Sequence, residues 1–103
     1  MGARVLAKSE WAPYFSRLHR VVQGRGIKIE VVGAALGDQV LLESAALLGA
    51  TYEPRQDTLE ISVKGITHVI NEPRKISIQM GNGDVSAIEV VDSAERQQIL
   101  IFA

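Results

Sequence analysis

The sequence predicts an α+β domain in which one N-terminal helix packs on a mostly antiparallel sheet of six or seven strands, a sheet free to curve strongly. Three observations carry that prediction. Trp11, Tyr14, Phe15, Leu18 and Val22 fall on one face of a helix. From residue 50 onward, apolar and polar residues alternate in short runs separated by turn residues. Asn82-Gly83, a pair that accepts the positive φ angles of a tight turn, stands between Ile76, Ile78 and Met80 on one side and Val85, Ile88 and Val90 on the other.

The helix is expected over residues 9–23, with Ser9 as its cap, Pro13 in the first turn, and Gly24 and Gly26 ending it. Ile27, Ile29 and Val31 alternate with Lys28 and Glu30 as a strand that Gly33 closes, and residues 33–37 read as a loop. Residues 39–49 fit two patterns. Asp38 and Gly49 would bound a helix, yet the same residues fit a short strand at 39–43 followed by an apolar connection. Residues 51–53 and 58–63 flank Pro54-Arg55-Gln56-Asp57 as a hairpin with a four-residue loop. Gly65 separates a further strand at 66–70. Pro73 interrupts the ladder, so the next strand starts near Arg74. The Asn-Gly hairpin follows, then a turn over 92–95 and a last strand at 98–102.

At 103 residues the chain has the size of one domain, and 47% hydrophobic with 22% charged residues allows one core and a solvated surface. No apolar run approaches the roughly 18 residues of a membrane span, so no membrane partner is expected. The first residues lack the apolar segment of a secretory signal, and Leu6 stands where myristoylation needs Ser or Thr. With no cysteine in the chain there is no thiolate ligand or thiol nucleophile, and a cytoplasmic location is the expectation. The net charge of −1 is unevenly spread. Residues 1–28 hold six basic residues against Glu10, a net +5, and the remainder holds five basic and eleven acidic residues, a net −6.

The chemistry-bearing residues are few. His19 and His68 are the two histidines, too few for a zinc or non-haem iron site, and no metal or other cofactor is expected. Gly24-Arg25-Gly26 follows a helix, whereas a dinucleotide fingerprint opens one, and neither a phosphate-binding GxxxxGK[ST] nor a GxSxG elbow occurs. An enzyme is therefore the weaker reading. His68 and Arg74 are the ligand-binding candidates, with a small-ligand-binding protein or hydrolase as the alternative function. Arg17, Arg20 and Arg25 are the anion-binding candidates on the basic segment. The acidic balance of the rest and the absence of a basic, aromatic strand face disfavour nucleic acid.

Glu10-Trp11, Ile29-Glu30-Val31-Val32-Gly33, Gly37-Asp38-Gln39, Tyr52-Glu53-Pro54, Thr67-His68-Val69-Ile70 and Pro73 together resemble the pattern of a family of small, uncharacterised bacterial proteins, a domain of unknown function. The resemblance spans nearly the whole chain and implies no activity. It favours the strand at 39–43 and singles out His68 without a role. The most consistent function is a non-enzymatic interaction or binding module that forms a homo-oligomer. A dimer is expected because residues 99–102 are apolar on both faces and need cover on both sides.

Overall fold

The computed structural model describes residues 2–22, 24–33, 37–81 and 83–103, without the side chains of His19 and Val21. Asn82 of the Asn-Gly turn, Gln23 at the expected helix end, and Ala34, Ala35 and Leu36 of the expected loop lie outside the described residues. The elements are β1 (Gly2–Val5), α1 (Lys8–Val22), β2 (Gly26–Gly33), β3 (Gly37–Glu53), β4 (Thr58–Val63), β5 (Ile66–Asn71), β6 (Pro73–Gly81), β7 (Asp84–Asp92) and β8 (Gln97–Phe102). The eight strands form one antiparallel sheet in the order β1-β6-β7-β8-β2-β3-β4-β5. It is not closed, because β1 and β5 are its two edges.

The α+β class holds, with eight strands in place of the expected six or seven. The additional strand is β1. Its four residues are all exposed and carry no alternation, so its pairing with β6, from Gly2↔Met80 to Val5↔Ser77, comes from the partner strand rather than from its own pattern.

Helix α1 begins at Lys8, and Ser9 is not its cap. The Glu10 carboxylate reaches back to accept the Ala7 backbone N–H at 2.8 Å, while Glu10 N–H donates to the Ala7 carbonyl. That is the glutamate half of a capping box, and Arg4 bonds the same carboxylate at 3.0 Å. These contacts hold the Glu10 carboxyl below its usual value, the Ala7 bond first and Arg4 second. Pro13 lies in the second turn rather than the first, so the helix forgoes one backbone bond there. Trp11, Phe15, Leu18 and Val22 are buried as the spacing predicts, and Tyr14 is half-buried.

Residues 39–49 are strand, and the helical alternative fails. They belong to β3, whose 17 residues include the strand expected at 51–53. The first half of β3 pairs with β2 from Gly37↔Gly33 to Ala46↔Gly26, and its second half pairs with β4 from Leu47↔Val63 to Glu53↔Thr58. A register shift between Leu47 and Gly49 marks the bend, where Leu47 N–H donates to the Arg25 carbonyl and Gly24 N–H to the Leu47 carbonyl. The bend folds the sheet over α1. Phe15 and Val22 meet Ile27, Ile29, Leu59, Ile61, Ile76, Ile88 and Leu100 in one core.

The apolar run at 99–102 lies in β8, between β7 and β2. Leu100 and Phe102 face the core and Ile99 and Ile101 are half-buried, so this strand offers no free edge and the reason first given for a dimer falls away. In the β6–β7 hairpin Gly81 pairs with Asp84, and Gly83 holds φ at +78°. Gly83→Val is expected to lower stability by about 1–2 kcal/mol, because a β-branched residue is strained at that angle. A denaturation midpoint equal to the parent's would place the strain elsewhere.

Candidate functional site

The site is built outward from Asp92, where β7 ends in a tight turn. The carboxylate is 1% exposed. Its Oδ1 accepts the backbone N–H groups of Ala94 (2.9 Å) and Arg96 (3.0 Å), and its Oδ2 accepts the Arg96 Nε (3.1 Å) and the Gln98 side-chain amide (2.9 Å). Burial alone would push this carboxyl up. The Gln98 bond, the Arg96 backbone bond and charge, and the Ala94 bond outweigh it and hold Asp92 below its usual range.

Because Gln98 spends its amide N–H on Asp92, its Oε1 is the atom left for His68, whose Nε2 stands 2.6 Å away. An amide oxygen only accepts, so His68 Nε2 is the donor; in the neutral ring Nδ1 is then an acceptor. The chain Asp92–Gln98–His68 ties β5 to β8, strands separated by three others in the sheet order. His68 also lines a cavity of about 340 Å³ with Val31, Gln39, Leu41, Val69 and Arg96.

That cavity runs beside the free edge of β5. The hairpin from β4 to β5 turns on Lys64 and Gly65, closing at Val63↔Ile66. The closing pair of a two-residue loop is hydrogen-bonded, and alternate residues follow it. Glu72 N–H donates to the Asp57 carbonyl at 2.8 Å, which continues the same parity. Residues 66, 68 and 70 therefore bond to β4, and Thr67, Val69 and Asn71 turn their N–H and C=O groups outward. This edge carries no Lys, Arg, Asp or Glu within its six residues, and Ile66 (51%) and Val69 (43%) are exposed. The opposite edge, β1, has only four residues and presents Arg4.

The structure places His68 and Arg74, the two sequence-predicted ligand residues, in different cavities. Arg74 is exposed on β6 and lines a different cavity, with Lys8, Trp11, Asp57, Glu72 and Lys75. Arg25 bonds Asp84 at 3.0 Å and the Ala103 carbonyl at 2.8 Å, and it lies over the Phe102 ring. Arg17 lines a cleft beside α1, and Arg20 is exposed on the helix. Among the described residues no three His, Asp or Glu side chains converge as metal ligands. Sequence reasoning missed Gln98, Asp92 and Arg96. One signal was available: by alternation Gln98 shares a face with Leu100 and Phe102, which makes it a polar residue at a core position needing a partner.

No helix among the described residues is long and apolar enough to cross a membrane. No solved structure matches the chain. An uncharacterized protein of Aquifex aeolicus (strain VF5) is 34% identical over 101 residues, covering 97% of this chain and 91% of that protein. Residues 3–103 match a family described as "Family of unknown function (DUF5335)", and with a helix packed on a large antiparallel sheet the chain belongs to that bacterial family of unknown function.

Proposed function

We propose that the protein is a non-enzymatic interaction module of the bacterial cytoplasm that works as a homodimer joined through β5. The observation that supports this is the unguarded edge. A six-residue strand with outward N–H and C=O groups, two exposed apolar side chains and no charge is a template for another strand.

A second copy fits this edge better than an arbitrary strand. Antiparallel pairing about a two-fold axis at His68 sets Thr67 opposite Val69 of the other copy, and both belong to the outward-bonding set. The same register sets Ile66 opposite Ile70, and Lys64 opposite Glu72 at each end. Opposite charges thus close both ends of a neutral strand pair. The hydrolytic alternative at His68 draws less support. Its Nε2 is spent on Gln98, and the wall of its cavity carries no carboxylate among the described residues.

Light scattering across a concentration series tests the proposal, with the parent expected at twice the chain mass. Val69→Pro removes an N–H that the monomer leaves unpaired, so it is expected to give a folded monomer. Lys64→Glu and Glu72→Lys are each expected to weaken the dimer, and the two together to restore it. A parent that stays monomeric at high concentration would overturn the proposal. Failure of the double variant to restore pairing would overturn this register.

A further inference from the structure

We propose that the cleft between α1 and the β6–β7 hairpin binds a single-chain amphiphile with a carboxylate head, its tail against the sheet and its head on Arg17. The cleft measures about 510 Å³, within the usual range for small-ligand sites. It lies away from β5, so the inference stands independently of the dimer.

The chemistry of the wall has two parts. Leu18 from the helix and Ile78 and Val85 from the sheet are buried side chains that form an apolar floor. Met80 is 40% exposed beside them, an unbranched side chain that adapts to the shape of an apolar guest. The charged part sits at the rim, and most of it is already paired. Asp84 is held by Arg25 at 3.0 Å and Arg4 by Glu10 at 3.0 Å. Arg17 lines the cleft and makes no ion pair among the described residues, its charge acting on Glu10 only from a distance, so its guanidinium fork is available to a guest. Such a fork matches a carboxylate in charge and geometry. Tyr14 lines the same cleft, where burial pushes its phenol up and its O–H can donate to a carboxylate head.

Titration of the full chain with decanoate below its aggregation threshold, followed by calorimetry and amide NMR shifts, tests the proposal. Saturable binding is expected, with shifts centred on Leu18, Met80 and Val85. Decyltrimethylammonium, with the same tail and the opposite charge, is expected to bind at least about tenfold more weakly, and Arg17→Gln to lose about tenfold for decanoate. Met80→Asp, an exposed change that spares the floor, is expected to weaken decanoate as well. Three results would overturn the proposal: no saturable decanoate binding, equal affinity for the two amphiphiles, or decanoate affinity unchanged in both variants. Binding to vesicles of anionic phospholipid without binding of free decanoate would also overturn it, by assigning the basic rim to a lipid surface.

Discussion

Asp92→Ala is expected to lower stability by about 3–5 kcal/mol. The side chain is nearly fully buried and accepts four hydrogen bonds, two from backbone N–H groups of its own turn. Removing it leaves those donors unpaired and frees Gln98, which in turn releases His68. The effect should fade along the chain, so His68→Ala is expected to cost about 1–3 kcal/mol. Urea denaturation of the two variants measures both, and a loss for Asp92→Ala no larger than that for His68→Ala would overturn this ordering. The same carboxylate makes the fold sensitive to acid. Its folded value lies below the ordinary 3.8, so its stabilising contribution is complete above that pH and is lost as the pH falls through the folded value. In Asp92→Asn that part of the acid dependence should disappear.

Trp11→Ala is expected to cost about 3–5 kcal/mol, because it empties a large space at the point where α1 meets the second half of β3. Trp11 is 3% exposed, and its ring meets Tyr52 edge to face with centroids 5.1 Å apart. Tyr52 is fixed in turn by donating its O–H to Asp57 at 2.6 Å; burial, then that bond and the Asp57 charge, push its phenol up to about 12. The indole N–H of Trp11 is buried without a hydrogen-bond partner in the structure. Trp11→Phe therefore removes an unpaired donor along with part of the ring, and its loss is expected to be only about 1 kcal/mol. Denaturation curves for the two variants separate volume from polarity. If phenylalanine costs as much as alanine, the indole N–H has a partner in solution.

Much of the fold was legible along the chain. The stripe from Trp11 to Val22 encodes which face of α1 is buried, because helical spacing and burial coincide. The alternation in β4, β6 and β7, with turn residues between them, encodes strands whose neighbours in sequence are neighbours in the sheet. Gly83 at positive φ belongs to the same local class, since the requirement is met within the turn itself. The candidate site was legible only in part: His68 stood out, but the residues that hold it did not.

What the tertiary structure alone decided is which elements become neighbours. β1 has no pattern of its own and is a strand because β6 offers it an edge. β3 is one bent strand rather than two elements, because its halves pair with different partners on either side of the bulge at Leu47–Gly49. The run at 99–102 lies inside the sheet because β8 returns to pair with β2 across about 70 residues of chain, while β1 and β5 are left as the edges. Asp92, Gln98 and His68 join for the same reason. Periodicity records how buried each residue is along its own element, a local property of the chain. Pairing across the sheet depends on which distant apolar faces share one core, and no local pattern carries that information.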